Sequence, residues 1–225
     1  MNMGTEYLNR SMTISLHNTG KRYNREWIFR HCTYRFEQGK KYAITGSNGS
    51  GKSTLLQVIA GATLHNEGSI EYKDAGHGAA DQQPSRAIEE TEHYTYLAIA
   101  APYLELIEEM TATEMLEFHG KFKRFIPSVS IAGILQVVGL EKAAHKQIRY
   151  FSSGMKQRLK LAQAFFSDTP VLMLDEPTTN LDADGIALYH SLVNNYTGNR
   201  LVIVSSNDKQ EYDFCEEVIR IGDYK

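Results

Sequence analysis

The residues best suited to chemistry form one glycine-rich segment, residues 46–53, with the sequence GSNGSGKS. It matches the phosphate-binding loop (P-loop) pattern, in which glycines let successive backbone N–H groups point at phosphate oxygens. Lys52 would reach the terminal phosphates as a cation, and the Ser53 hydroxyl could bind Mg²⁺. A glycine-rich turn that binds nothing is the alternative, but a predicted strand precedes the segment and a predicted helix follows it. The predicted nucleotide-binding residues here are Gly46, Ser47, Asn48, Gly49, Ser50, Gly51, Lys52, Ser53 and Thr54.

A second candidate group is the carboxylate pair Asp175 and Glu176, which follows the apolar run 171–174. Such a run is typical of a strand covered on both faces of a sheet. Asp175 stands where a P-loop protein needs its second metal contact, made through water to Mg²⁺. Glu176 could take a proton from the water that attacks the γ-phosphate, or orient that water. Alone, the pair could equally be solvated acids at a strand end, but the intact P-loop makes this alternative the weaker one.

The elements that must hold these residues change in type along the chain. Apolar patterning predicts strands at 12–17, 33–36, 41–45, 69–72, 94–100, 171–174, 201–204 and 218–221. Helices are predicted at 53–60, 130–138 and 155–166. A capping box formed by Thr111 and Glu114 predicts the start of another helix, and Asp182 caps a helix that runs to about residue 195. Residues 74–83 are the least patterned and predict a surface hairpin or loop.

This order predicts an α/β fold with a mainly parallel core sheet, an antiparallel N-terminal β part and a helical insertion. We expect one domain over residues 1–225, with a core at 1–101 and 161–225 and a helical subdomain at about 102–160. The 225 residues, 42% of them hydrophobic and 23% charged, suit a single α/β domain.

Composition also limits the partners and the location. The formal net charge of −3 shows no basic excess, so we expect no nucleic acid, and we interpret Lys121, Lys123 and Arg124 as a solvated helix face. The two cysteines favour a reducing cytoplasm, where both would be buried small hydrophobic residues. No stretch reaches the roughly 18 apolar residues of a spanning helix, and we expect no signal peptide.

Two further segments distinguish among the many classes of P-loop protein. They are FSSGMKQR at 151–158 and DEPTTNLD at 175–182. They resemble the signature motif and the Walker B motif with its D-loop in ATP-binding cassette (ABC) proteins, and the resemblance covers essentially the whole chain. A metabolite or nucleotide kinase would leave both segments unexplained.

The resemblance implies a dimer in which each P-loop faces the signature helix of the other cassette. Ser152, Ser153 and Gly154 would then bind the nucleotide held by the opposite subunit, and Asp182 would lie along the dimer seam. Tyr23 matches the aromatic residue that stacks on adenine in this family, although an ordinary tyrosine at a strand end is the alternative. ATP and Mg²⁺ are the implied cofactors.

The implied partners are a second cassette, identical or not, and an integral membrane subunit. Through that subunit the chain would lie on the inner, cytoplasmic face of the cell membrane. Residues 102–110 sit where ABC proteins receive a helix of the membrane subunit; a core-facing helix or turn is the alternative, above all at Leu104 and Ile107.

The chain departs from the ABC pattern in three ways. Ala101 or Ala100 stands where the family has a glutamine that senses Mg²⁺ and the attacking water. Asn207 replaces a histidine that contacts the γ-phosphate; its amide can donate a hydrogen bond but cannot carry a proton. In the signature, Ser153 and Met155 replace the usual glycine and glutamine. Since Lys52 and Glu176 are retained, we predict slow ATP hydrolysis that depends on Glu176.

Two functions stay in competition at this point. The first is an ATPase subunit of a transporter, and the second is a degenerate cassette that works as a nucleotide-binding switch with little or no turnover. A soluble cassette acting on ribosomes or DNA ranks last, because such proteins usually carry paired cassettes or long inserts.

Overall fold

The computed structural model describes residues 12–74, 86–89 and 92–225. Its strands are β1 Met12–Tyr23, β2 Glu26–Phe36, β3 Lys41–Thr45, β4 Glu67–Asp74, β5 Arg86–Ala87, β6 Leu97–Ala100, β7 Val171–Asp175, β8 Leu201–Ser205 and β9 Glu217–Arg220. Its helices are α1 Lys52–Ile59, α2 His93–Tyr96, α3 Ala112–Phe122, α4 Ile131–Val137, α5 Ser153–Phe166 and α6 Ala183–Tyr196. Beyond Asp74, the loop predicted at 74–83 lies outside the described residues.

The described strands form two sheets of opposite character. One is antiparallel, in the order β2-β1-β4-β5, and the other has the order β6-β7-β8-β3-β9 with parallel pairing throughout. In the parallel sheet, Ile44 and Asp175 both pair with Ser205. The carboxyl ends of β3, β7 and β8 therefore meet at one edge, and the loops that leave them are brought together there.

The apolar runs of β7 and β8 are buried on both faces, and their side chains alternate between two hydrophobic clusters. Leu172, Leu174, Val202 and Val204 pack into a cluster with α3, α4, α5 and α6. The alternate residues of the same two strands, Val171, Met173, Leu201 and Ile203, pack on the other face of the sheet, in a cluster with α1 and the antiparallel sheet. The parallel sheet is thus the shared middle layer, and it fixes the P-loop strand relative to the helices.

The strand predicted over 94–100 is correct only for its second half. Residues 94–96 belong to the short helix α2, and β6 begins at Leu97. The reason is the partner strand: β6 pairs with β7 from Leu97 opposite Val171 to Ala100 opposite Leu174. Since β7 begins at Val171, the residues before Leu97 have no ladder to join.

Helix starts follow the predicted capping chemistry. The amide of Glu114 donates to Thr111 Oγ1 at 3.2 Å and Glu114 Oε2 accepts from the Thr111 amide at 2.8 Å, which confirms the capping box of α3. Asp182 caps α6 by accepting from the amide of Gly185 at 2.9 Å.

Residues 102–110 form turns and irregular backbone rather than a helix.

Lys123 does not belong to a solvated helix face. It follows the last residue of α3, and its Nζ donates at 2.8 Å to the carbonyl of Leu97, at the start of β6. Burial lowers its pKa to about 8. Lys121 and Arg124 are exposed, as predicted.

Within the described ranges, no helix combines the length and the apolar character that crossing a membrane requires.

Candidate nucleotide site

The loop between β3 and α1 has a backbone that excludes side chains at two glycines. Gly51 has a φ of 104°, and a Cβ there would lie 2.3 Å from Cγ2 of Ile28. At Gly46 a Cβ would lie 2.7 Å from Oγ of Ser50. Only glycine fits both places. The sequence GSNGSGKS therefore folds into a tight loop that opens directly into α1.

Lys52 is folded back onto this loop. Its side chain is only 4% exposed, and Nζ donates to the carbonyl oxygens of Gly46 at 3.0 Å and Ser47 at 3.3 Å. Two neutral carbonyls hold an ammonium less strongly than phosphate oxygens would. The contacts therefore keep the cation at the loop while leaving it able to exchange partners.

Asp175 ends β7 beside the P-loop and is 1% exposed. Burial raises its pKa, and the neighbouring hydroxyls of Ser205 and Ser53 offset this in part. Its Oδ1 is buried without a hydrogen-bond partner among the described residues. A buried carboxylate oxygen with a spare lone pair beside a serine hydroxyl is the hard oxygen donor set that Mg²⁺ prefers, so the residues fit the ion.

Glu176 leaves the sheet in a left-handed conformation, with φ of 42°. Its amide donates to the carbonyl of Ser205 at 2.9 Å, which holds this conformation in place. Such a backbone costs a non-glycine residue on the order of 1–3 kcal/mol and tends to occur at functional sites. Its half-buried side chain lines one cavity of about 220 Å³ with Ile28, Asn48, Gly49, Gly51, Lys52, Ser53 and Thr54.

The segment predicted as a signature motif does not line the P-loop cavity. Ser152 caps α5, and its Oγ accepts from the amide of Met155 at 3.2 Å. Arg158 donates to Oδ1 of Asp182 at 3.2 Å, which joins α5 to the D-loop. Together these elements line a groove of about 430 Å³ that includes Ser152, Ser153, Gly154, Met155, Arg158, Asn180 and Asp182. This groove shares no lining residue with the P-loop cavity.

Comparison with known proteins supplies the decisive observation. Residues 29–179 match the family model described as ABC transporter. The chain belongs to the ABC transporter family.

Relatives of the cassette support this over nearly its full length. The ABC transporter ATP-binding protein YybJ of Bacillus subtilis is 31% identical over 211 residues, which are 93% of this chain and 92% of YybJ. The cytochrome c biogenesis ATP-binding export protein CcmA of Agrobacterium fabrum is 31% identical over 199 residues, 87% of this chain and 88% of CcmA. The chain is thus an ABC ATP-binding subunit of the kind that serves a transporter.

Solved structures confirm the predicted fold class. The dimeric structure of MJ0796, a bacterial ABC transporter cassette, superposes with a TM-score of 0.73 at 23% identity and covers 93% of this chain and 95% of that one. The chain is therefore an α/β P-loop NTPase with a parallel core sheet and an antiparallel β part.

Of the residues that replace the glutamine and the histidine of the ABC pattern, Asn207 reaches the P-loop and the alanines do not. Nδ2 of Asn207 donates to Oδ1 of Asn48 at 3.1 Å, so the cassette places this amide on the loop. Ala100 and Ala101 are fully buried, and neither offers a polar side chain to the cavity. Tyr23 is 48% exposed at the end of β1, outside the lining of the P-loop cavity; its role in adenine stacking stays a prediction.

Residues that sequence reasoning missed anchor the loop after Glu176. Oε1 of buried Glu211 accepts from the amide of Thr178 at 2.7 Å and also from its hydroxyl. Buried Gln157 of α5 donates from Nε2 to the carbonyl of Pro177 at 2.8 Å. Both contacts join residues far apart in the chain, and the sequence carries no local signal for either.

Proposed function

We propose that the chain binds ATP with Mg²⁺ in the P-loop cavity and hydrolyses it in a dimer of cassettes, which drives a separate membrane subunit. The observation that carries this proposal is the separation of the P-loop cavity from the signature groove. Each cassette has both surfaces but does not bring them together, so a second cassette is needed to complete a site. The solved MJ0796 cassette, which shares the fold, is dimeric and supports a dimer here.

Each retained residue has a place in this reaction. Lys52 would exchange its two loop carbonyls for oxygens of the terminal phosphates. Ser53 and Asp175 would hold Mg²⁺, which when bound neutralises charge on the phosphates. Glu176 would accept the proton of the attacking water as the new bond to the γ-phosphorus forms and the bond to the bridging oxygen breaks. The products are ADP and phosphate.

The signature groove contributes the other half of each site. Ser152 caps α5, so the helix N-terminus and this hydroxyl would meet the γ-phosphate held by the opposite P-loop. Asp182 and Asn180, in the same groove, would lie along the seam. We take residues of about 102–160 as the helical subdomain that carries this surface, and residues 102–110 as its contact with a membrane subunit at the cytoplasmic face.

Hydrolysis by this cassette should be slow. Asn207 reaches the P-loop but cannot carry charge, and Ala101 is buried without a polar group. These two observations also favour the second candidate function, a nucleotide switch whose dimer closes on ATP with little turnover. The retained Glu176, which lines the cavity, favours the hydrolase.

Steady-state ATPase activity with Mg²⁺ tests the proposal. We expect slow phosphate release by the wild-type chain, with loss of activity in both Glu176→Gln and Lys52→Ala. Glu176→Gln should also accumulate as a dimer with ATP in size-exclusion chromatography with light scattering, whereas Lys52→Ala should stay monomeric.

Other outcomes distinguish the candidates. Phosphate release that persists unchanged in Glu176→Gln would contradict the role of this carboxylate. No release from the wild type, together with ATP-dependent dimers, would establish the switch instead. An absence of ATP binding by the wild type would contradict both.

A further inference from the structure

The loop that follows β7, residues 176–182, begins with a backbone that needs support from other elements. Glu176 has a φ of 42°, and Pro177 comes directly after it. The ring of a proline narrows the conformations open to the residue before it, which adds to the cost of a left-handed φ there. A strained residue of this kind persists only where the surrounding structure holds it, so neighbouring contacts decide where the Glu176 carboxylate lies.

Gln157 on α5 supplies one of these contacts. It is 3% exposed, and its Nε2 donates to the carbonyl of Pro177 at 2.8 Å. Pro177 has no amide hydrogen and its φ is set by the ring, so its carbonyl is the polar group by which its backbone can be held. The hydrogen bond therefore fixes the chain one residue away from Glu176, whose side chain lines the P-loop cavity.

The same face of α5 touches the loop at two further places. Gly154 lies three residues before Gln157 and four before Arg158, so all three share one helix face. A Cβ at Gly154 would lie 3.0 Å from the carbonyl oxygen of Asn180. Arg158 donates to Oδ1 of Asp182 at 3.2 Å. The helix that begins at the signature groove is thus packed along the loop that carries Glu176.

The segment around and after the end of β8 holds the loop as well. The carbonyl of Ser205 accepts from the amide of Glu176 at 2.9 Å, and Oε1 of Glu211 accepts from the amide of Thr178 at 2.7 Å. These bonds hold the residues before and after Pro177, whereas Gln157 holds Pro177 itself. Gln157 is therefore a direct connection between the signature helix and the backbone at Glu176.

We propose that Gln157 is a positioning residue for hydrolysis, which aims the Glu176 carboxylate into the P-loop cavity by holding the carbonyl of Pro177. The inference rests on the proposed hydrolytic role of Glu176. Gln157 lines neither the P-loop cavity nor the signature groove, so it acts through the loop and not on the nucleotide. The signature helix thereby has a task in its own cassette, besides the groove that would meet the nucleotide of the opposite one.

Gln157→Met tests this role, because methionine keeps a long buried side chain but has no N–H donor. We expect kcat for ATP hydrolysis to fall about tenfold, since a small displacement of a catalytic group is costly, while KM for ATP changes less than about twofold. Gln157→Glu keeps the shape of the side chain, and its ionised form also lacks a donor, so it should lose kcat as well. Urea unfolding identifies the conditions in which each variant is folded.

Two further variants separate positioning from general support of α5. Gln163→Met is the matched control, because it removes a hydrogen bond of 3.3 Å between the same helix and Nδ1 of His119, and it should keep the wild-type kcat. The double variant Glu176→Gln, Gln157→Met should form ATP-dependent dimers as readily as Glu176→Gln alone, since neither binding surface includes Gln157.

Other results would overturn the inference. A wild-type kcat in folded Gln157→Met or Gln157→Glu would show that the hydrogen bond does not position Glu176. An equal loss in Gln163→Met would assign the effect to α5 as a whole, and a loss of dimers in the double variant would assign it to the signature groove. A wild type that releases no phosphate would overturn the hydrolase and this role with it, and that result is recognised without any Gln157 variant.

Discussion

Asn207 Nδ2 donates to Asn48 Oδ1 at 3.1 Å, which links the segment after β8 to the P-loop. The side chain at position 207 is thereby held over the loop on which the terminal phosphates would lie. It supplies a dipole there but no charge.

The first prediction follows from this contact. Asn207→His would place a group at the same point that can carry a proton, and we expect kcat for ATP hydrolysis to rise at least tenfold. Asn207→Ala is the matched control and should not exceed the wild type. Phosphate release at saturating ATP measures both, and a histidine variant no faster than the alanine variant would contradict the prediction.

The second prediction concerns the contact between Gly51 and Ile28. Gly51→Ala introduces a Cβ at 2.3 Å from Ile28 Cγ2, so we expect ATP binding to be lost. Gly49→Ala is the matched control: its φ is also left-handed, at 75°, but a Cβ there meets nothing within 4 Å. Gly49→Ala should therefore lose less ATP affinity than Gly51→Ala.

Combining Gly51→Ala with Ile28→Ala separates the clash from the backbone strain. Removing the Cγ2 group should restore part of the ATP affinity, measured by calorimetry. If the double variant binds no better than Gly51→Ala, the strained φ alone explains the loss and the contact with Ile28 is unimportant.

Sequence patterns predicted those features that depend on local chemistry. The P-loop, the Thr111 capping box and the apolar run of β7 each need only neighbouring residues, and the fold class followed from their order. The strand predicted at 94–100 was half wrong, because its length is set by where β7 begins, more than 70 positions away.

The same reason explains which site residues were missed. Gln157 gains its place from the carbonyl of Pro177, 20 residues later. Glu211 gains its place from Thr178, 33 residues earlier. Neither residue has a neighbour in sequence that marks it, and such contacts become visible only when the chain is folded.

The third prediction concerns Glu211. Glu211→Leu would leave the amide and hydroxyl of Thr178 without their acceptor, which should lower the free energy of unfolding by about 1–3 kcal/mol. Glu211→Gln keeps an acceptor oxygen of similar reach, so its free energy of unfolding should fall clearly less than that of Glu211→Leu. Urea unfolding monitored by circular dichroism compares the two.

Thr178 lies in the loop that begins at Glu176, so Glu211→Leu should also slow phosphate release under conditions where the variant is fully folded. Equal stabilities of the leucine and glutamine variants would show that the hydrogen bonds to Thr178 contribute nothing to folding.

The last prediction uses Lys123, whose pKa burial lowers from 10.5 to about 8. Between these values the unfolded chain binds a proton that the folded chain has released, so stability rises with pH in this window. The full penalty for the buried charge is present below pH 8. From pH 7 to pH 9, wild type should therefore gain about 1 kcal/mol in unfolding free energy relative to Lys123→Met. Lys121→Met, at an exposed neighbour, should follow the wild type, and a wild type that gains nothing over Lys123→Met would show that Lys123 is not held in a desolvated site.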